Sequence, residues 1–149
     1  MKDTLKIFVD SDAFVALTVA TDANHEKALS LLHSLGERSV VFLTSNYVFS
    51  ESITVISMRS SHATAVAFIE NMQSPGNPFQ IKRTDEVIEK EAIELFKIQT
   101  SKNTSFVDCS NMVFMKQLNL DAIFSFDDVY RKKGCILVEN LLMVEKQAA

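Results

Sequence analysis

The chain has 149 residues, of which 47% are hydrophobic and 23% charged, and this size and composition predict a single domain over residues 1–149 with a tail that frays from about residue 145. Its formal net charge of −4 disfavours a sequence-independent nucleic-acid coat protein, which would usually be basic. Two cysteines are too few for a disulfide scaffold, and no segment approaches the ~20 apolar residues of a membrane span. Asp10 and Asp12 also interrupt the apolar run that a secretory signal would need. We therefore expect a cytoplasmic protein.

Hydrophobic periodicity predicts strands that alternate with helices along the first half of the chain. The predicted elements are a strand "KIFVD" ending at Asp10, a helix from about Asp12, a helix capped by Asp22 and ended by Gly36, a strand "SVVFL", a helix capped by Thr44 or Ser45 and running to about Met58, and a helix "SSHATAVAFIENM".

The second half continues this alternation after the turn "SPGNP". Its predicted elements are a strand "FQIKR", a helix capped by Thr84 and running to about Thr100, a helix from Ser105 to about Leu118, a strand "AIFSFD" and a short strand "CILV". Such alternation is typical of parallel βαβ units. We therefore expect an α/β three-layer sandwich with a mainly parallel, Rossmann-like sheet of about five strands.

Acidic residues close two of the predicted strands. Asp10 ends the first strand, and Asp127 follows "AIFSF" in the fourth. In parallel sheets, functional residues gather at the carboxyl ends of strands, near the point where the strand order reverses. If that reversal lies between strands one and four, the two carboxylates are neighbours.

Two more carboxylates are predicted near the same edge. Glu51 shares a helical face with Val48 and Val55, where an unpaired charge is costly to bury. Asp108 opens the helix before the fourth strand. Like charges ~5 Å apart repel by roughly 3 kcal/mol at an effective dielectric near 20, so a cluster of four needs a cation or shifted pKa values.

A carboxylate cluster favours a particular chemistry. Oxygen ligands suit Mg²⁺ or Mn²⁺, and a metal held in this way activates water for attack on a phosphodiester. Structural roles remain open for each acid taken alone: Asp10 as a helix cap, Glu51 as the partner of a basic residue, Asp108 in a capping box, and Asp127 with Asp128 as turn residues.

Four segments resemble the PIN-domain family, and VapC-type toxins in particular. They are "FVDSDAFVAL", "DANHEKALSLL", "LTSNYVFSES" and "TSFVDCSNMVFMKQLNLDAIFSFD", and the similarity spans nearly the whole chain in the right order. The resemblance implies a metal-dependent ribonuclease with a cognate antitoxin and a homodimeric assembly. By position it implies catalytic and metal-binding roles for Asp10, Glu51, Asp108 and Asp127.

Other residues have supporting roles in this interpretation. Ser125 stands where the family often has Thr or Ser before its last acid, and Asp128 is next to that acid. Asp12 is a departure, because the family usually places Ser, Thr or Asn there, so it adds charge to the site. Basic residues that could contact RNA phosphates are Arg59, Lys82, Arg83, Arg131 and Lys132, although "YRKK" is more typical of a solvated turn.

Two other classes of protein fit part of the pattern. A haloacid-dehalogenase-like phosphatase also has a strand followed by DxD and a later acidic pair, with Asp10 as nucleophile and Asp12 as general acid. That family favours Gly where this chain has Ala13 and Thr where it has Phe14, and it gives Glu51 no role. The second alternative is a non-catalytic PIN-fold binding module.

Overall fold

A computed structural model describes residues 3–148 of the chain. Its strands are β1 (Leu5–Val9), β2 (Val40–Ser45), β3 (Phe79–Lys82) and β4 (Ala122–Phe124). Its helices are α1 (Ser11–Thr18), α2 (His25–Gly36), α3 (Asn46–Arg59), α4 (His62–Gln73), α5 (Glu86–Ile98), α6 (Phe106–Gln117), α7 (Val129–Lys132) and α8 (Val138–Ala148).

The four strands form one parallel sheet in the order β3-β2-β1-β4. Strand β1 lies inside the sheet, with Ile7 opposite Phe42 of β2 on one side and Ala122 of β4 on the other. The chain therefore builds outward from β1 in one direction and returns to its other side with β4. This reversal is the one that the carboxylate hypothesis required.

The predicted α/β class and parallel sheet are confirmed, but the predicted strand count is wrong. The segment "CILV" forms a single parallel bridge, Leu137 with Ile123, rather than a fifth strand. The Ile123 N–H donates to the Ile136 carbonyl at 2.8 Å. Pairing ends there because helix α8 begins at Val138 and turns the chain away from β4.

Helix α8 was not predicted, and it includes most of the segment from residue 145 that was expected to fray. Its buried Val138 and half-buried Leu141 and Leu142 pack against the core, and it continues through Ala148. Only Ala149 of the predicted tail lies outside the described residues. Within residues 3–148, no helix is both long enough and apolar enough to span a membrane.

Helix caps were predicted with mixed success. Ser45 caps α3 by accepting from the Val48 N–H, as one of the two alternatives proposed. Asp85, not Thr84, caps α5. Asp22 does not cap α2, because that helix begins three residues later and the Asp22 carboxylate instead accepts from the Asn24 N–H and from Arg59.

A buried hydroxyl fastens the end of β1 to β2 beside the predicted site. Thr44 is fully buried, and its Oγ1 donates to the carbonyl of Val9 at 2.8 Å. Replacing a satisfied buried donor by an isosteric apolar group removes that bond and leaves its partner short of a donor. The end of β1, and with it the backbone position of Asp10, depends on this contact.

We expect Thr44→Val to lower the free energy of unfolding by about 1–2 kcal/mol. The matched control is Thr54→Val, because Thr54 is exposed and its hydroxyl bonds only to the Ser50 carbonyl of its own helix at 3.2 Å. That control should change the free energy by less than about 0.5 kcal/mol. Urea unfolding measures both, and equal losses from the two variants would contradict a special role for Thr44.

Candidate active site

Asp10 is the centre of a buried polar cluster at the carboxyl edge of the sheet. It follows β1 directly and caps α1, with its Oδ1 accepting from the Ser11 N–H at 2.8 Å. Its side chain also accepts from Asn111 Nδ2 at 3.1 Å, Ser125 Oγ at 3.2 Å and the Tyr130 hydroxyl at 2.8 Å. These donors come from three separate parts of the chain, so the fold is built around this carboxylate, which is only 5% exposed.

Asp108 reaches the cluster from the first turn of α6. Its Oδ2 accepts from the Ser105 N–H at 2.8 Å, while Ser105 Oγ accepts from the Asp108 N–H, so the predicted capping box is present. Its Oδ1 lies 2.9 Å from the Tyr130 hydroxyl, which also contacts Asp10. Asp108 therefore caps its helix and faces the site at the same time.

Asp12, predicted only as a supporting residue, is part of the hydrogen-bonded cluster around Asp10. Its Oδ2 accepts from Ser125 Oγ at 3.0 Å and from the Phe126 N–H at 2.8 Å. Its Oδ1 is buried without a hydrogen-bond donor, and the same is true of Asn111 Oδ1. Two buried acceptor oxygens thus lack partners in this acidic cluster.

The buried Asp10 and the half-buried Asp12 both resist ionisation. The pKa of Asp10 is raised from 3.8 to about 8. Burial is the main cause, the charges of Asp12 and Asp108 act in the same direction, and the bonds from Tyr130 and Ser11 oppose them. Burial also raises the pKa of Asp12 to about 6, with a smaller contribution from Asp127. A positive charge would remove this cost for both groups.

Glu51 reaches the edge from α3. It is half-buried, and its Oε1 accepts from the hydroxyl of Ser11, the residue next to Asp10. Within residues 3–148, no ion pair joins Glu51 to a basic residue, so the alternative of a structural pair for this side chain receives no support. Its hydrogen bond instead links α3 to the beginning of α1.

The acidic pair after β4 is exposed and lies at the rim. The Asp127 N–H donates to Ser125 Oγ at 3.1 Å, and Asp127 Oδ1 accepts from the Val129 N–H at 3.0 Å. The Asp128 carboxylate pairs with Arg131 on the surface. Both acids thus serve the turn into α7, and Asp127 is also close enough to raise the pKa of Asp12.

The candidate RNA-contacting residues lie in three places: at the end of β3, beside a small cavity, and on α7. Lys82 ends β3, Arg83 follows it, and both are exposed. Arg59 donates to Asp22 at 2.7 Å and, with Ser11 and Asp12, lines a cavity of about 250 Å³. Arg131 and Lys132 are exposed on α7.

Two residues of the cluster were not predicted. Asn111 is three residues after Asp108 and so shares its helical face, which is a signal that the spacing offered. Tyr130 belongs to the "YRKK" segment interpreted as a solvated turn. That interpretation is wrong for Tyr130, which is fully buried, because the short helix α7 turns its ring inward while its basic residues face solvent.

The residues at this edge fit a hard divalent cation in their chemistry. All the converging groups offer oxygen donors, and two buried oxygens lack a partner. In the part of the chain that the structure describes, no three His, Cys, Asp or Glu side chains are already drawn together as a ligand set. Hydrogen bonds from Tyr130, Asn111 and Ser125 hold the acids instead.

Comparison with known proteins decides the family. The PIN-domain profile matches residues 7–134, which include every member of the cluster. The chain belongs to the PIN-domain family. The prediction made from its four motifs is thereby confirmed, and PIN-domain nucleases generally use a divalent metal ion.

Individual relatives give the same result. The chain is 29% identical over 132 residues to proteins named 23S rRNA-specific endonuclease VapC20 from two Mycobacterium tuberculosis strains, CDC 1551/Oshkosh and H37Rv, covering 89% of this chain and 97% of theirs. A crystal structure of M. tuberculosis VapC20, described as a sarcin-ricin loop cleaving toxin, superposes with a TM-score of 0.79 at 28% identity, covering 87% of this chain and 96% of that one.

Proposed function

We propose that this PIN-domain protein is a metal-dependent endoribonuclease that acts as the toxin of a type II toxin–antitoxin pair. The observation that carries the proposal is the buried Asp10, which the fold surrounds with Asp12, Asp108 and polar donors at a strand-order reversal. Similarity to VapC20, over almost the full length of both chains, supports the reaction class.

The metal would be Mg²⁺ or Mn²⁺, held by Asp10, Glu51, Asp108 and Asp127. Asp12 adds a further carboxylate whose free, buried Oδ1 is suited to the same ion or to a water bound to it. When bound, the ion supplies an activated water and positive charge for the scissile phosphate. Its positive charge would favour the ionised forms of Asp10 and Asp12, whose pKa values are raised in the protein alone.

The chain's own side chains position the reacting groups. Tyr130, Asn111 and Ser125 hold the Asp10 carboxylate, and Ser11 holds Glu51, so both acids are preorganised before RNA arrives. Exposed basic residues contact RNA phosphates on either side of the cluster and orient the scissile bond. The candidates for these contacts are Arg59, Lys82, Arg83, Arg131 and Lys132.

The same similarity also supports proposals for the substrate and the partners. Because the VapC20 proteins are named for 23S rRNA, a sarcin-ricin loop hairpin is the first RNA to test. A cognate antitoxin would silence the nuclease in the cytoplasm, and the active species would be a homodimer. The gene of the antitoxin would be a small reading frame beside that of the toxin.

The decisive experiment is cleavage of total RNA and of a sarcin-ricin loop hairpin by purified protein with Mg²⁺, Mn²⁺ or EDTA. We expect discrete fragments with either metal and none in EDTA. Intact RNA under every condition, from protein that is folded by circular dichroism, would contradict the proposal. That outcome would favour a non-catalytic PIN-fold binding module.

A further inference from the structure

The hydroxyl of Tyr130 lies between two of the acids proposed to bind metal. The side chain is 0% exposed, and its oxygen is 2.8 Å from Asp10 Oδ2 and 2.9 Å from Asp108 Oδ1. Asn111 Nδ2 is 2.9 Å away from the same oxygen. One buried hydroxyl thus joins the end of β1 to the first turn of α6.

The hydrogen-bond capacity of a phenol limits what these contacts can be. A tyrosine hydroxyl donates one proton and accepts through its oxygen. Asn111 donates to that oxygen, so the single hydroxyl proton is shared between the carboxylates of Asp10 and Asp108. Tyr130 therefore links Asp10 Oδ2 to Asp108 Oδ1 and fixes how far apart these two oxygens lie.

A buried hydroxyl at this position lowers the stability of the fold unless it forms good hydrogen bonds. A buried hydroxyl costs free energy that only good hydrogen bonds offset, whereas phenylalanine would fill nearly the same volume without that cost. The chain uses phenylalanine freely elsewhere in the core, as at Phe8, Phe114 and Phe124. The hydroxyl of Tyr130 is thus explained by the acids it contacts and not by packing.

We propose that Tyr130 is a positioning residue that holds Asp10 and Asp108 in the arrangement that receives the divalent cation. This inference rests on the proposed function. Groups that orient metal ligands by hydrogen bonds typically change metal affinity by ~10–100-fold when they are removed. Tyr130 acts through the two carboxylates and touches neither the metal nor the RNA.

The test is Mn²⁺ binding to Tyr130→Phe without RNA, measured from the electron paramagnetic resonance signal of free Mn²⁺. We expect the Kd for Mn²⁺ to rise by ~10–100-fold, with the far-ultraviolet circular dichroism unchanged. The matched control is Tyr47→Phe, because the Tyr47 hydroxyl donates only to Glu89 at the surface, at 2.8 Å. That control should leave the Kd within about twofold of wild type.

A second measurement covers the case in which Tyr130→Phe does not fold. The chain has two tyrosines, so 3-fluorotyrosine incorporated into the Tyr47→Phe protein labels Tyr130 alone. We expect its ¹⁹F resonance to shift when Mg²⁺ is added, since the carboxylates that flank the hydroxyl change their charge environment. A resonance that stays in place while the metal binds would overturn the proposal.

The outcomes separate this inference from the proposed function. Unchanged Mn²⁺ affinity in Tyr130→Phe, beside a wild-type protein that cleaves RNA, would overturn the role of Tyr130 and leave the nuclease intact. A wild-type protein that neither binds Mn²⁺ nor cleaves RNA would overturn both. Weaker Mn²⁺ binding in Tyr130→Phe with normal affinity in Tyr47→Phe would support the positioning role.

Discussion

Asp10→Asn is expected to reduce RNA cleavage at least ~1,000-fold and, without metal, to make the protein more stable at pH 8. Cleavage is lost because asparagine cannot supply the charge that a cation needs at the centre of the cluster. Stability rises because the variant no longer buries a carboxylate that burial and its acidic neighbours keep from ionising. The two effects have opposite signs, which a general unfolding of the variant could not produce.

The pH dependence follows from the direction of the pKa shift. The pKa of Asp10 in the folded protein is about 8, against an ordinary value of 3.8, so the folded state holds a proton that the unfolded state has released. The stability contributed by this group is complete below about pH 4 and is lost as the pH rises towards about 8. Wild-type protein in EDTA should therefore become less stable across this range.

Thermal unfolding in EDTA between pH 5 and pH 8 measures this effect. At pH 8 we expect the Tm of Asp10→Asn to exceed that of wild type by about 5–10 °C, and the difference to shrink at pH 5. Adding Mg²⁺ should raise the Tm of wild type only. Asp3→Asn, at an exposed position, is the control for a generic change of charge. An Asp10→Asn protein less stable than wild type at pH 8 would contradict the burial argument.

Glu51→Gln is expected to lower the rate of RNA cleavage by about 100-fold or more while leaving the fold intact. Glutamine keeps the shape of the side chain and an oxygen that accepts from the Ser11 hydroxyl, so the link between α3 and α1 survives. The substitution removes only the negative charge. Its effect therefore reports the contribution of that charge to metal binding.

Single-turnover cleavage rates and Mn²⁺ affinity measure the effect of Glu51→Gln. Glu70→Gln is the control, because Glu70 is an exposed residue of α4, away from the cluster. Full activity in Glu51→Gln would remove this residue from the metal site.

Features that depend on a few neighbouring residues were predictable from the sequence. The strand that ends at Asp10, the Ser45 cap of α3 and the Ser105–Asp108 capping box follow from backbone groups that a nearby side chain satisfies. These local rules were enough to bring Asp10 and Asp108 to one edge of the sheet. The order of the strands could not be predicted, so the reversal between strands one and four was stated only as a condition for the carboxylates to be neighbours.

Features that depend on tertiary packing were not predictable in the same way. Tyr130 lies three and two residues after the exposed Asp127 and Asp128 and is followed by three basic residues, so its surroundings in sequence are those of a surface turn. It is buried because α7 folds back over Asp10 and Asp108. Similarly, one bridge at Leu137 was interpreted as a strand, which hid the helical spacing of Val138, Leu141 and Leu142 in α8.

The four acids proposed to bind metal are attached to the fold with different stiffness. Asp10 follows an inner strand that is hydrogen-bonded on both sides, whereas Asp127 lies on an exposed turn between β4 and α7. Amide hydrogen exchange should be slowest in β1 and faster at the exposed Asp128 in this turn. A substrate or an inhibitor that enters the site consequently contacts a rigid side at Asp10 and a more flexible side at Asp127. The turn that contains Asp127, and not the strand before Asp10, is therefore the part that would move to fit the shape of an RNA backbone.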